Sequence, residues 1–179
     1  MKKENIPNAL TVGRILIIPL FIFLLTVWDT DTGHALAAIL FALASVTDYL
    51  DGYLARKWQV VTNFGKFADP MADKILVMTA FIMLVELGFA PAWIVAIIIC
   101  RELAVTGLRL LLVENGGTVL AAAMPGKIKT FSQMFAVIFL LFHWTIIGQI
   151  TLYVALFFTL YSGYDYFKGA SYLFKNTFK

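Results

Sequence analysis

Asp48-Tyr49-Leu50-Asp51-Gly52-Tyr53-Leu54-Ala55-Arg56, followed after eight residues by Gly65-Lys66-Phe67-Ala68-Asp69-Pro70-Met71-Ala72-Asp73, puts four aspartates within twenty-six residues of a chain that is 61% hydrophobic. Residues three or four apart share a helix face, so Asp48 and Asp51 form one pair and Asp69 and Asp73 another if both segments are helical. Two such helices side by side would bring four carboxylates together, and these cannot all stay ionised without positive charge among them. All-oxygen ligands suit hard divalent cations such as Mg²⁺, and two such ions offset roughly four negative charges. The stretch therefore points to a two-metal site for phosphate chemistry, carried on apolar helices.

The rest of the composition fits that frame. A chain of 179 residues suits one domain, 1–179. Its charged fraction is 14%, against about a quarter in soluble proteins, and its mean hydropathy is +0.85. Both place it in a lipid bilayer as an all-α integral membrane protein. The net charge of +3 comes with no basic run interleaved with aromatics, so nucleic acid is not an expected partner. The single cysteine, Cys100, forbids an intrachain disulfide and is expected as a small core residue. Met1-Lys2-Lys3-Glu4, followed by Asn5, Pro7 and Asn8, offers no small-residue cleavage site, so no cleavable leader is expected.

In chain order, residues 5–14 are amphipathic and are expected to lie in the membrane interface as an N-terminal helix. A first span over 15–28 follows, with Pro19 allowing a kink. The further spans are expected at about 34–57, 67–86, 92–113, 127–144 and 150–167, giving six transmembrane helices. Asn63 and Gly65 are expected in the loop before the third span, and Trp144 to Gln149 in a turn. With six spans, all 14 lysines and arginines fall in or toward one side, which the positive-inside rule makes cytoplasmic. Both termini and the aspartates are then cytoplasmic, where phosphorylated metabolites are found. His34 and His143 fall on the other side and are expected as interfacial residues, neither ligands nor bases.

A second cluster is cationic. Arg101 and Arg109 lie inside the fourth span, eight residues apart and near one helix face. Ionisable residues within a span are costly and by default mark a functional partner. Glu102 beside Arg101 allows the plainer reading of a buried ion-pair network. The sharper reading is a pocket for a phosphorylated acceptor, with Lys127, Lys129 and Thr130 at the start of the fifth span contributing. Arginine's fork suits phosphate, and a helix N-terminus adds partial positive charge.

The pattern Asp-x-x-Asp-Gly-x-x-Ala-Arg, eight residues, Gly-x-x-x-Asp-x-x-x-Asp resembles the signature of the CDP-alcohol phosphotransferases, membrane enzymes that move a phosphatidyl or related group from a CDP-linked lipid to an alcohol. Asp48, Asp51, Gly52, Ala55, Arg56, Gly65, Asp69 and Asp73 fill every fixed position. The resemblance implies the family's fold, with Asp48, Asp51, Asp69 and Asp73 holding two Mg²⁺ or Mn²⁺ ions and Asp73 serving as general base. It also implies that Asp48, Asp51, Gly52, Ala55, Arg56, Thr62 and Gly65 receive the CDP-lipid. Small residues such as Gly52 and Ala55 leave room for a base or sugar, although helix packing uses them too. Thr47 and Thr62 are within reach of a nucleotide, although packing is the commoner use of such residues.

Asn5 to Thr11 with Arg14, Cys100-Arg101-Glu102-Leu103 with Arg109, and Gly126 to Thr130 with Gln133 are similar to the bacterial phosphatidylglycerophosphate synthase branch of that family. That branch implies CDP-diacylglycerol as donor, glycerol 3-phosphate as acceptor, the cytoplasmic (inner) membrane as location, and a homodimer. Inositol phosphate would equally satisfy a cationic pocket. Serine, or phosphatidylglycerol in a cardiolipin synthase, would leave it harder to explain. A reading from another class, a divalent-cation transporter, would want its acids near the bilayer midplane with access from both sides; these acids sit toward one edge.

Overall fold

A computed structural model describes the backbone of residues 5–58, 63–114 and 124–170, and the side chains of 13–47, 74–112 and 124–170. The described residues form six α-helices and no strand: α1 (Asn5–Thr26), α2 (Asp31–Trp58), α3 (Asn63–Glu86), α4 (Ala92–Glu114), α5 (Met124–Leu141) and α6 (Thr145–Gly169). The two segments expected at 5–14 and 15–28 are one helix, which passes through Pro19 and ends at Thr26. Asn63 and Gly65 lie in the first turn of α3 instead of in a loop, and α6 begins at Thr145, so residues 145–149 are helix instead of turn. Pro125 is tolerated in the opening turn of α5 because the N–H it lacks has no helical partner there.

Three tight turns close one end of the bundle. Between α1 and α2, Thr30 Oγ1 accepts the Gly33 N–H at 3.2 Å. A Cβ on Gly33 would stand 1.9 Å from the Trp28 carbonyl oxygen, so only glycine fits. After α3, Gly88 takes φ +73°, with Phe89 N–H donating to Leu84 O (2.8 Å) and Gly88 N–H to Val85 O (3.0 Å), a Schellman cap. The α5–α6 turn repeats that pattern, Trp144 N–H to Phe139 O (2.9 Å) and His143 N–H to Leu140 O (3.0 Å). Here, however, the left-handed position is filled by His143 at φ 60°. That conformation costs a non-glycine residue of order 1–2 kcal/mol.

α1 packs on α2 and α3, α5 packs on α6, and α4 closes on α6, while α2 and α3 also touch α5. The core joins Phe21 and Leu25 of α1, Phe41 of α2, Phe81 and Leu84 of α3, Ile98 of α4, and Val137 and Leu141 of α5. Contact between α5 and α6 depends on a small residue: a Cβ on Gly148 would meet Leu140 Cδ2 at 2.6 Å.

The outward surface is apolar as well. Leu16, Phe23, Leu43, Ile82, Leu110, Phe135, Ile146 and Phe157 are all exposed. So is Cys100, which the sequence placed in the core; it faces outward beside α6, because the face of α4 toward the bundle is taken by Ile94, Ile98 and Arg101. By length and composition, α6 is the one helix among the described residues long and apolar enough to cross a membrane alone. α4 and α5 interrupt their apolar runs with Arg101, Glu102, Arg109, Lys127 and Lys129.

Candidate active site

The charges that interrupt α4 and α5 converge. A cavity of about 290 Å³ lies between α3, α4, α5 and α6, at the end of the bundle opposite the three tight turns. Lys74 of α3, Arg101, Glu102 and Arg109 of α4, Gly126, Lys129, Thr130 and Gln133 of α5 and Tyr166 of α6 line it, over an apolar floor that includes Phe81 and Ile98. The eight-residue spacing of Arg101 and Arg109 does bring both to one face. Lys129 is buried and Thr130 borders the opening, its hydroxyl donating to Gly126 O at 3.1 Å. Lys127 is exposed and does not line the cavity.

Among the described lining residues, four cations face one carboxylate. Glu102 Oε1 accepts from Arg101 Nη1 at 3.0 Å and also from Lys129 Nζ. Lys74 Nζ donates to Thr106 Oγ1, and that hydroxyl donates to Glu102 O at 2.6 Å. Arg101 Nη2 donates to Ser162 Oγ at 2.9 Å. Arg109 Nη2 donates to Tyr166 Oη, and its guanidinium carbon lies 4.8 Å from that ring's centroid, within cation–π range.

Two donors remain unmatched. Arg101 Nε and Arg109 Nε are both buried without a hydrogen-bond partner. A buried, unpaired N–H costs about 1–3 kcal/mol, so such groups are kept where a ligand satisfies them. Among the described residues, the excess of positive charge and the two idle guanidinium donors are what an anion with several oxygens, such as a phosphate, would satisfy. The ion-pair alternative of the sequence is also present, since Glu102 bridges Arg101 and Lys129. It balances only part of the charge.

Lys74, Glu102 and Tyr166 were not among the expected anion-binding residues. Lys74 had a legible signal, a lysine directly after Asp73 inside an apolar helix. Tyr166 had none, because it is far in sequence from the arginine it holds.

The last aspartate of the motif, Asp73, directly precedes Lys74, which lines this cavity. Asp48 and Asp51 lie on α2 with Gly52, Ala55 and Arg56, and Gly65, Asp69 and Asp73 lie on α3, directly before Lys74. The helical backbone gives each aspartate pair the one-turn spacing expected of it. The side chains of all these residues, and Thr62 entirely, lie outside the described residues. Thr47 is described: its hydroxyl donates to Leu43 O, one turn back on α2.

The profile of the CDP-alcohol phosphatidyltransferase family matches residues 4–161. The chain belongs to that family. Its relatives in the family include proteins named CDP-diacylglycerol–glycerol-3-phosphate 3-phosphatidyltransferase. The one from Bacillus subtilis strain 168 is 49% identical, over 91% of this chain and 93% of its own length. The Rickettsia typhi protein is 41% identical, over 93% of this chain and 97% of its own. The Shigella flexneri protein is 37% identical, over 93% and 94%. These alignments cover both the aspartate helices and most of the segments that build the cationic cavity of this family member.

At the other end, the two histidines expected as interfacial residues meet each other. His34 is buried, and its Nδ1 lies 3.0 Å from His143 Nε2. Its Nε2 lies 2.8 Å from Asp29 Oδ1. The α1–α2 turn and the α5–α6 turn meet there, and their meeting is what buries the ring.

Proposed function

We propose that this chain transfers the phosphatidyl group of CDP-diacylglycerol to glycerol 3-phosphate, forming phosphatidylglycerophosphate and releasing CMP. The observation that carries the reading is the cavity with its two partnerless arginine donors, one residue along α3 from the last aspartate of the motif. An acceptor that brings its own phosphate would satisfy those donors, and the full-length similarity to proteins named for glycerol 3-phosphate supports the same acceptor.

In this reading Arg101, Arg109, Lys129 and Thr130 hold the acceptor phosphate, with Lys74 alongside. Glu102 keeps the empty cavity from carrying its full positive charge, and Tyr166 fixes the plane of Arg109. The acceptor hydroxyl then points toward the start of α3. Its oxygen forms a bond to the phosphatidyl phosphorus, the phosphoanhydride bond to CMP breaks, and Asp73 takes the hydroxyl proton. Asp48, Asp51, Asp69 and Asp73, an all-oxygen donor set at one-turn spacing on two helices, fit two Mg²⁺ or Mn²⁺ ions. Such ions, when bound, supply neutralisation of the diphosphate charge. Gly52, Ala55, Arg56, Thr62 and Gly65 complete the CDP-lipid side.

The apolar outer surface supports a single domain with six membrane spans, α1 to α6, the start of α1 lying in the interface. The distribution of lysine and arginine supports both termini and the active site on the cytoplasmic face of the inner membrane. A homodimer belongs to the same reading on the strength of the family resemblance.

The test is CMP release by purified protein from CDP-diacylglycerol with glycerol 3-phosphate, inositol phosphate, serine and phosphatidylglycerol in parallel. Glycerol 3-phosphate should be used at least about tenfold better than each other acceptor, a difference of about 1.4 kcal/mol. Chelator should stop the reaction, and Mg²⁺ or Mn²⁺ should restore it. Equal use of serine would remove the phosphate pocket from the mechanism.

A further inference from the structure

We infer that the turn end of the bundle carries a second metal site, built from His34, His143 and Asp31 and suited to a divalent transition metal of the Zn²⁺ class. It is separate from the aspartate motif: His34 opens α2, whereas Asp48 lies fourteen residues on, about 21 Å along the helix.

Two edges of a ligand triangle are in place, and the exposed Asp31 carboxylate can turn to close the third. Two imidazole nitrogens and a carboxylate oxygen bound tetrahedrally at about 2.0–2.2 Å stand about 3.3 Å apart. His34 Nδ1 and His143 Nε2 are 3.0 Å apart, and His143 Nε2 and Asp31 Oδ1 are 3.4 Å apart. All three ligand atoms lie within 4.8 Å of one another.

The groups behind the ligands support the assignment. Asp29 Oδ1 accepts from His34 Nε2 at 2.8 Å, which leaves the Nδ1 lone pair directed at the triangle. This carboxylate–histidine–metal order is how a ligating imidazole is held in tautomer and orientation. Phe89, from the α3–α4 turn, sets its ring edge-on to both imidazoles, at 5.5 Å from His34 and 5.1 Å from His143. His143 reaches the triangle from a left-handed backbone position where the equivalent turn after α3 uses Gly88. A glycine there would relieve the backbone but could not reach His34.

The site is open on one side: the Asp31 side chain is 97% exposed and that of His143 42%, giving the metal a path in and a free position for water. The metal takes the place of the proton between the imidazoles, which moves to His143 Nδ1. Two imidazoles with one carboxylate favour Zn²⁺ and its transition-metal neighbours over Mg²⁺. Such an ion would tie the α1–α2 turn to the α5–α6 turn.

The test uses the full-length protein in detergent, stripped with chelator and held in excess Mg²⁺ so that oxygen-only sites are filled. Co²⁺ is the probe, since four-coordinate Co²⁺ with nitrogen ligands absorbs far more strongly than six-coordinate Co²⁺. One equivalent per chain should give that band, and Zn²⁺ should displace it. His143→Asn, which suits a positive φ, and Asp31→Asn, at an exposed position, should each abolish the band or weaken Co²⁺ binding by at least about tenfold. Asp29→Asn should weaken binding by about 10–100-fold while keeping the band. CMP release near wild-type level in each variant shows that it folds. A missing band in the wild type, or an unchanged band in both His143→Asn and Asp31→Asn, overturns the site and leaves a hydrogen-bonded cluster only.

Discussion

The two ends of this bundle handle buried polar groups in opposite ways. At the end where α3 and α5 begin, Lys74, Arg101, Arg109 and Lys129 line one cavity, Arg101 and Lys129 share the Glu102 carboxylate, and the Nε atoms of Arg101 and Arg109 have no hydrogen-bond partner. At the turn end, both ring nitrogens of buried His34 are matched, and Gln149 Nε2 donates to the Phe89 carbonyl at 2.7 Å. The first end leaves two donors unmet, and the second has the ring of its buried histidine paired before any metal enters. In the proposed reading, charge left over inside an apolar bundle marks where substrate goes, and polarity that balances marks where helices are tied.

The contrast breaks most visibly at the aspartates. Asp69→Ala and Asp73→Ala should each lower CMP release by roughly 10²–10⁴-fold or more, because in the proposed reaction each removes part of the charge and proton handling at the reacting phosphorus. His34→Gln at the other end should leave CMP release within about twofold when the protein is folded; a comparable loss there would end the division of labour between the two ends.

Next in size are the arginines. Arg101→Lys and Arg109→Lys keep a charge but lose the fork, and the lysine amine does not replace the Nε–H. A lost charge-assisted hydrogen bond is worth about 1.5–3 kcal/mol, so the KM for glycerol 3-phosphate should rise about 10–100-fold. The KM for CDP-diacylglycerol should move less than about twofold. An equal rise for both substrates would show that these arginines do not form an acceptor pocket.

Glu102→Gln probes the charge balance itself. It leaves Arg101 and Lys129 without their shared carboxylate, and breaking a buried pair in this way costs about 3–5 kcal/mol. The Tm should fall, and glycerol 3-phosphate or inorganic phosphate should raise it by more degrees than in the wild type, because the added anion replaces the missing negative charge. A variant whose Tm ignores phosphate would mean that the cavity does not take anions.

The aspartate spacing, the arginine pair and the apolar runs were legible in the sequence because each is local: a helix converts offsets of three, four and eight into faces. Helix ends were less legible. Asn63 and Gly65 look like turn residues, yet α3 starts at Asn63, and Trp144 to Gln149 look like a connection, yet α6 starts at Thr145. What could not be read was anything requiring two distant segments to meet. Tyr166 on Arg109, Ser162 on Arg101 and His34 on His143 depend on which helices are neighbours, and composition does not encode that. Cys100 failed for a related reason: in a bundle apolar on both sides, an apolar run does not say which face is inward.

The smallest expected effect is the most pointed, because it moves an arginine without touching its charge. Gly163 of α6 lies against Arg101; a Cβ added there would stand 3.2 Å from Arg101 Cγ and 3.3 Å from Nε. Both distances are tighter than ordinary contact, so Gly163→Ala should push the guanidinium by a few tenths of an ångström, with its Ser162 contact strained and its Glu102 contact retained. If Arg101 acts through placement of its fork, the KM for glycerol 3-phosphate should rise about threefold, under about 1 kcal/mol, with kcat nearly unchanged. Gly107→Ala, on α4 with nothing within 4 Å of the added methyl, is the matched control and should leave both constants alone. If the two substitutions behave alike, Arg101 contributes charge only, and the selectivity for acceptor phosphate must come from Arg109 and the α5 residues.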